Sequence, residues 1–200
     1  MRVAEKTLSS GKDDRIPPRE RILAVAADLF YRHGIRAVGV ESIAEAARTN
    51  KMTLYRHFDS KDELVAEYLR QEAAKGEASW AALEAKHPGD PLAQIRAWLG
   101  EMAAHVVDCN ARGCALANAA VELPEKDHPA RAVIEECKRR HRAALIGLCA
   151  KAGLTEPEML ADEFLLLIEG ARVTAQSMGA DGLDARLMRM SEALIAAHRG

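Results

Sequence analysis

The chain has 200 residues, of which 48% are hydrophobic and 4% aromatic, and its formal net charge at pH 7 is −2. This length allows one or two compact domains with a real core, and no apolar run reaches the roughly eighteen residues of a membrane span. The polar N-terminus lacks the apolar centre of a signal peptide, so we expect a cytoplasmic protein without a membrane partner.

Residues 1–16 are rich in Lys, Asp, Ser and Gly, which predicts a disordered arm. Pro17-Pro18 then begins a helix, because proline is tolerated in the first turn. Apolar residues follow a 3.6-residue period to about His33. Gly34 is predicted to end this first helix as a left-handed cap.

The run Gly39–Phe58 predicts two short helices joined by a tight turn, at about Val40–Ala47 and Lys51–Phe58. Small apolar residues share one side of the first helix, and Leu54 and Phe58 share one side of the second. The side chains left facing outward on the second helix are those of Lys51, Thr53, Tyr55, Arg56 and His57. Packing explains such a helix poorly, whereas a helix in a DNA major groove needs these donors.

At these residues the chain resembles the TetR family of bacterial transcriptional regulators. The matching residues are Ile43-Ala44, Ala47, Asn50, Thr53-Leu54-Tyr55-Arg56-His57-Phe58 and Lys61-Asp62. The resemblance extends from Arg19 to Leu69, about a quarter of the chain. It implies a helix-turn-helix DNA-binding domain over residues 17–60, within an N-terminal three-helix bundle, and a ligand-binding and dimerisation domain over residues 61–200. Residues 1–60 carry 11 Lys and Arg against 8 Asp and Glu, whereas residues 61–200 carry 17 against 22, which suits a protein that contacts phosphates at one end.

The resemblance also implies a role for each polar residue of the motif. The residues expected at base edges are Asn50, Lys51, Met52 and Thr53. The residues expected at phosphates are Ser42, Thr49, Tyr55, His57 and Lys61. Base contacts carry sequence information, and phosphate contacts set register and affinity. Taken alone, Tyr55 and His57 also fit ordinary half-buried helix residues.

Two residues depart from the family pattern. Arg48 occupies the turn position where the family usually has glycine, and a positive φ there costs a non-glycine residue up to about 1 kcal/mol; a phosphate contact by Arg48 would recover part of that cost. Met52 replaces a small residue in the recognition helix, so the operator sequence cannot be copied from relatives.

The fourth helix is predicted to begin with a capping box, in which Ser60 is the N-cap and Glu63 follows three residues later. It continues to about Ala85, before the break at residues 87–91. Further helical patterns follow at about Pro91–Asn110, Cys114–Leu123, Pro129–Ala152, Glu156–Met178 and Leu183–Ala197. We therefore predict an all-α protein of about nine helices.

The resemblance implies that the last two helices form a homodimer through a four-helix bundle. The apolar residues expected at that interface are Phe164, Leu167, Ile168, Leu183, Leu187, Met190 and Leu194. The alternative is that these residues close the core of their own subunit.

A small-molecule effector is expected between the helices of the larger domain. Pockets combine apolar walls with isolated polar groups, and the candidate residues are Trp98, Met102, His105, Asn118, Glu122, His141, Phe164 and Arg172. Trp98, Met102 and His105 share one predicted helix face. Each residue alone also fits core or surface.

No catalytic motif is present, so we expect no enzyme activity and no cofactor. The cysteines at 109, 114, 137 and 149 include no CxxC pair, and Cys137 with His141 supplies too few ligands for a metal site. The predicted function is a dimeric repressor, released from a palindromic double-stranded operator by a small molecule. A regulator without a ligand, an activator, and an all-helical enzyme or carrier are the alternatives.

Overall fold

The computed structural model describes residues 16–108 and 112–200, and within these ranges it contains nine α-helices. Their bounds are α1 Pro18–His33, α2 Val40–Ala46, α3 Lys51–His57, α4 Lys61–Lys86, α5 Pro91–Val107, α6 Ala115–Glu122, α7 Pro129–Lys151, α8 Pro157–Met178 and α9 Leu183–Ala197. The all-α prediction is confirmed. Asn110, Cys109 and most of the expected N-terminal arm lie outside the described residues.

The described residues divide into two compact units, the first ending at Tyr68 and the second beginning at Leu69. The division falls inside α4, after its second turn, and not at the expected boundary between residues 60 and 61. None of the described helices is long and apolar enough to cross a membrane.

Helices α1 to α3 and the start of α4 enclose the core of the first unit. Ile22, Ile43, Leu54 and Leu64 supply one buried side chain from each helix, each 0% exposed. Burying a leucine or isoleucine contributes about 1.5–3 kcal/mol relative to leaving it in water. This core fixes which sides of the short helices α2 and α3 stay exposed.

Local signals set the helix ends of the first unit. Pro17 is the N-cap of α1 and Pro18 its first residue, and the backbone N–H of Glu63 donates to Ser60 Oγ at 3.0 Å, as the capping box predicts. Gly34 has φ 89° and ψ 152°. Its φ is positive as expected, but this ψ is extended, so the prediction of a left-handed helical cap is wrong in that detail.

The second unit is built from the C-terminal part of α4 and from α5 to α9, with α5 packed on α9 and α7 on α8. The largest fully buried side chains of its core are Trp98, Phe164, Leu83, Ile95, Leu99 and Leu145. Helix α5 begins where Asp90 Oδ1 accepts a hydrogen bond from the N–H of Ala93 at 2.9 Å.

The end of the chain is fastened to the start of α8. The N–H of Thr155 donates to the His198 carbonyl at 2.8 Å. The buried His198 ring has Nδ1 2.7 Å from the Thr155 carbonyl and Nε2 3.1 Å from Glu163 Oε2. Leu154 and Arg199 form an isolated antiparallel bridge beside these bonds.

Candidate functional site

The turn between α2 and α3 is a Schellman motif with Arg48 at its left-handed position. The N–H of Arg48 donates to the Glu45 carbonyl at 2.9 Å. The N–H of Thr49 donates to the Ala44 carbonyl, also at 2.9 Å. Arg48 has φ 49°, which confirms the predicted positive φ. Glycine is the usual residue here, so the arginine costs about 1 kcal/mol of backbone strain.

Helix α1 holds this turn in place. Arg21 Nε donates to the Ala47 carbonyl at 2.8 Å, across twenty-six residues of sequence. Ala47 itself is fully buried. The carbonyl that would be left without a partner at the end of α2 is thus satisfied by a side chain of α1.

Asn50 is the N-cap of α3. Its Oδ1 accepts a hydrogen bond from the N–H of Thr53 at 2.9 Å, and its backbone is extended at φ −125°. Sequence reasoning assigned Asn50 to a base edge and missed this role, although an asparagine directly before a helix is a strong N-cap signal. The amide nitrogen of Asn50 takes no part in this bond.

The exposed side of α3 is polar apart from one methionine. Leu54 and Phe58 are buried, whereas Met52 is 77% exposed and Tyr55 41% exposed. Lys51, Arg56 and His57 are also exposed, and Thr53 is half-buried. Helix α3 therefore exposes hydrogen-bond donors and one long apolar side chain. The buried side chains of Leu54 and Phe58 fix the orientation of this exposed face.

Lys51 is paired with a carboxylate of α2. Its Nζ lies 2.6 Å from Glu41 Oε1 and 6.0 Å from the centre of the Tyr55 ring. The hydrogen bond lowers the pKa of Glu41 and raises that of Lys51, so both groups are charged at neutral pH. Sequence reasoning did not single out Glu41, because the pair joins two helices and has no spacing signal.

The residues expected at phosphates occupy different settings. Ser42 and His57 are exposed, and Thr49 is half-buried. Lys61 is half-buried, and its Nζ donates to the Ile35 carbonyl at 2.6 Å, above the Phe30 ring at 5.9 Å. Lys61 therefore stabilises the loop before α2, a structural role that the sequence did not predict.

This arrangement matches a known family. The family model described as "Bacterial regulatory proteins, tetR family" matches residues 22–68. A solved structure from Streptomyces avermitilis, described as a TetR transcriptional regulator, is 30% identical to this chain, covers 92% of it and 98% of that chain, and has a TM-score of 0.78. The chain belongs to the TetR family.

Two further relatives extend the TetR-family comparison. A TetR-family transcriptional regulator from Streptomyces coelicolor has a TM-score of 0.85 at 26% identity, over 92% of this chain and 96% of that one. The HTH-type transcriptional repressor KstR2 of Rhodococcus jostii is 47% identical over 62 residues, which are 31% of this chain and 29% of the repressor. Sequence similarity to that repressor is thus confined to a part of each chain.

In the second unit, three of the rings meet between α4, α5 and α7. The rings of Trp80 and Trp98 stack with centroids 5.6 Å apart. Trp80 Nε1 donates to His141 Nδ1 at 3.3 Å. Burial, helped by the charges of Lys138 and Arg172, lowers the pKa of His141 to about 4. The imidazole is therefore neutral at pH 7 and carries its proton on Nε2.

Charged side chains of α7 and α8 meet next to these rings. Lys138 Nζ lies 2.6 Å from Glu169 Oε1, and Arg172 Nη1 lies 3.2 Å from the same oxygen. Arg172 Nη2 also contacts Met102 Sδ at 3.3 Å, a weak acceptor. Burial raises the pKa of Glu169, but the hydrogen bond and charge of Lys138 outweigh it and lower the pKa overall. Two cations therefore share one carboxylate.

The structure brings together only part of the expected ligand site. Trp98, Met102, His141 and Arg172 meet in the cluster just described. Sequence reasoning missed Trp80, Lys138 and Glu169, which come from three different helices.

The other expected ligand residues lie elsewhere. The prediction that His105 forms one wall with Trp98 is wrong, because His105 is exposed, with Nδ1 3.3 Å from the Glu101 carbonyl. Asn118 Nδ2 donates to the Arg112 carbonyl at 2.7 Å. Glu122 is half-buried at the end of α6, and Phe164 is enclosed in the core.

An open groove of about 610 Å³ lies along α4 and α7. Its lining residues are Arg70, Ala73, Ala74, Glu77, Ala132, Val133, Glu135, Glu136, Cys137, Arg139 and Arg140. Arg140 bridges Glu77 at 2.6 Å and Glu136 at 2.7 Å, so the charges in this groove largely neutralise one another. None of the expected ligand residues lines it.

Four of the residues expected at the dimer interface belong instead to the core of their own subunit. Phe164 and Ile168 of α8, and Leu183 and Leu187 of α9, are at most 8% exposed. They cannot present a surface to a partner, so this part of the prediction is corrected. Leu167 and Leu194 are half-buried, and Met190 is 50% exposed.

A different set of apolar residues faces outward on α8. Met159, Leu166 and Val173 follow one another at seven-residue spacing and are 56%, 75% and 65% exposed. Residues seven apart lie on the same side of a helix. The helix therefore has an apolar inner side and, unusually, an apolar outer stripe.

The described thiols show no sign of a metal centre. Across residues 16–108 and 112–200, no three His, Cys, Asp or Glu side chains are grouped closely enough to hold a metal ion. Cys114, Cys137 and Cys149 are free thiols, and burial raises the pKa of Cys149 to about 11. Cys149 is therefore an inert core residue at neutral pH.

Proposed function

We propose that this TetR-family protein is a transcriptional regulator that binds duplex DNA with α3 in the major groove. The observation that carries the proposal is the exposed polar face of α3, held by the buried side chains of Leu54 and Phe58. A helix this short is stabilised mainly by the packing of its apolar side, so its polar side remains available to contact a partner.

We assign the N-terminal end of α3 to base edges and its surroundings to phosphates. Lys51, Thr53 and the Asn50 amide would donate to bases, while Met52 would pack on thymine methyl groups. Tyr55, His57, Arg48, Ser42 and Thr49 would contact phosphates. Lys61, whose ammonium group also bonds the Ile35 carbonyl, would add a further phosphate contact.

We propose that two copies associate through the outer stripe of α8. That contact would bury the side chains of Met159, Leu166 and Val173, together with that of Met190 of α9. The driving force is the burial of apolar area, about 25 cal/mol per Å². A two-fold dimer reads two half-sites spaced by about 34–36 Å or a multiple of it, so the operator would be palindromic.

We further propose that the effector is an amphipathic organic anion. The cluster of Lys138, Arg172 and Glu169 has one cation in excess, next to the rings of Trp80 and Trp98. A carboxylate would give the Arg172 guanidinium a far stronger acceptor than the Met102 sulfur. Effector binding would favour a conformation of the protein that does not fit the operator. The size of the shift would be set by the difference in the effector's affinity for the two conformations.

A regulator without an effector is the second candidate. Its support is that Trp98 is 2% exposed and Phe164 fully buried, so aromatic side chains fill this interior. Repression is proposed because one relative is named a transcriptional repressor. The sign of regulation depends on where the operator lies relative to the promoter.

A gel shift with the full-length protein and the duplex upstream of its own gene tests DNA binding. We expect a shift whose affinity falls steeply with salt concentration, and equal affinity for unrelated duplexes would refute a specific regulator. Adding aromatic carboxylates and their neutral amides then separates the two candidates. Release by the acids alone, lost in Arg172→Gln, supports the anionic effector, and no release by any compound supports the effector-free regulator.

A further inference from the structure

The ion pair between Glu41 and Lys51 has little reason to exist for stability alone. The side chain of Glu41 is 70% exposed and that of Lys51 54% exposed. Pairs this exposed add little to folding because water screens them. A carboxylate on a DNA-facing surface also repels phosphates, which lowers affinity for every sequence.

The chemistry of the pair matches one base pair in the major groove. A guanine–cytosine pair presents, in order, the acceptors N7 and O6 of guanine and the N4 amino donor of cytosine. Lys51 gives one of its three donors to Glu41 and keeps two. Glu41 accepts from Lys51 through Oε1 and from its own backbone N–H, and a carboxylate with about four lone-pair sites can still accept from a base.

The distance between the two side chains also fits the distance between the two base atoms. The Lys51 nitrogen and the Glu41 oxygen are 2.6 Å apart. Guanine O6 and cytosine N4 are hydrogen-bonded to each other, at the usual separation of about 2.7–3.2 Å. A donor and an acceptor side by side can therefore meet an acceptor and a donor side by side.

We propose that Glu41 is a specificity-determining residue that, together with Lys51, reads one guanine–cytosine pair in each half-site. Lys51 donates to guanine N7 and O6, and Glu41 accepts from cytosine N4. An adenine–thymine pair puts an amino donor where Lys51 needs an acceptor. The inference rests on the proposed function, because it assumes that α3 enters the major groove.

The test is selection of binding sites from a randomised duplex library by the full-length protein, followed by affinity measurements on the selected duplex. We expect a fixed guanine–cytosine pair in each half-site for the parent protein. Replacing that pair by adenine–thymine should weaken parent binding about 5- to 100-fold. In Glu41→Gln the same replacement should cost at least about 3-fold less than in the parent protein, since the amide no longer demands the cytosine amino group, while Lys51 keeps its own preference for guanine.

Two further variants guard the interpretation. Glu45→Gln removes the same charge from an exposed position one turn along α2, so it should raise affinity for all duplexes equally and keep the base preference. Lys51→Ala should lower the preference at the same base pair as Glu41→Gln, and the double variant should abolish it. Thermal melts check that each variant is folded.

The outcomes separate this inference from the function on which it rests. If the parent protein selects no sequence, both the proposed function and the reading of a base pair fail. If the parent protein selects a site but Glu41→Gln keeps every base preference, only the role of Glu41 is refuted. An equal loss of preference in Glu45→Gln would refute it as well.

Discussion

The exposed faces of α3 and α8 have opposite chemistry. On α3 the exposed residues include Lys51, Tyr55 and His57, whereas on α8 they include Leu166 and Val173. A polar, cationic face gains a partner by releasing counterions, so its binding weakens with salt. An apolar face binds a partner because its apolar surface is removed from water, and salt affects this binding little. Salt should therefore weaken a contact made through α3 and leave a contact made through α8 almost unchanged.

The largest expected effect is a loss of stability when a residue on the inner side of α8 is truncated. Phe164→Ala should lower the free energy of unfolding by about 3–5 kcal/mol, because it opens a cavity in the core. Urea unfolding measures the change, and Val121→Ala, at an 84% exposed position of α6, is the control and should change little. A stable Phe164→Ala variant that fails to dimerise would restore the interface role of Phe164.

His141, in the interior of the second unit, should make the stability of the protein depend on pH. His141 has a folded pKa of about 4 against an ordinary value of 6.5. Between these values the unfolded chain binds the proton more strongly, so stability is complete above pH 6.5 and falls as the pH drops towards 4. The loss should approach about 3 kcal/mol.

Urea unfolding of the parent protein and His141→Gln over this pH range measures the difference. The glutamine does not titrate, so the two stability curves should diverge as the pH falls. Parallel curves would show that His141 is not buried in its neutral form.

The outer stripe of α8 can be broken by one charge. Leu166→Arg should weaken self-association at least about 100-fold, because the arginine would be buried without a partner. Sedimentation at several salt concentrations measures it, and the parent association should change little with salt. Val121→Arg adds the same charge to an exposed apolar position outside α8 and should leave association intact; equal loss in both variants would discredit the stripe.

The polar face of α3 should show the opposite salt response. Lys61→Met should weaken operator binding about 5- to 10-fold and reduce the slope of log affinity against log salt by about 1. Tyr55→Phe should weaken binding to a similar degree with the slope unchanged, since it removes a hydrogen bond without a charge. Lys75→Met removes a charge from a later turn of α4 as the control. Unchanged affinity in both test variants would refute the phosphate contacts.

The smallest expected change in stability is at the C-terminal ends of α2 and α7, which have the same hydrogen-bonding pattern. Gly153 closes α7 with the bonding pattern that Arg48 uses for α2: its N–H donates to the Ala150 carbonyl, and the N–H of Leu154 donates to the Cys149 carbonyl. Arg48→Gly should change stability by up to about 1 kcal/mol in the stabilising direction, and Gly153→Ala by a similar amount in the other. Thermal melts measure both, and a destabilised Arg48→Gly would mean that the arginine side chain makes a compensating contact.

Sequence reasoning succeeded where one signal was strong and local. Apolar periodicity and capping residues gave the nine helices of the described chain to within a few residues. The positive φ of Arg48 followed from the turn position alone. Local chemistry determines these features, so no knowledge of distant contacts was needed.

Sequence reasoning failed where the answer depended on packing between helices. Helix α8 is apolar on both sides, so periodicity could not tell that Phe164 faces inward and Leu166 outward. The pairing of Lys51 with Glu41, and of Lys138 with Glu169, joins separate helices. Neither pairing leaves a trace in the spacing of residues along the chain.

The bonds between Thr155 and His198 have a consequence for motion. They close the segment that contains α8 and α9 into a loop tied at its base, with Glu163 holding the His198 ring. A helix can detach from such a loop only after the tie is broken, and breaking it frees both helices at once. We therefore expect the backbone amides of α8 and α9 to exchange their hydrogens with solvent as a single cooperative unit.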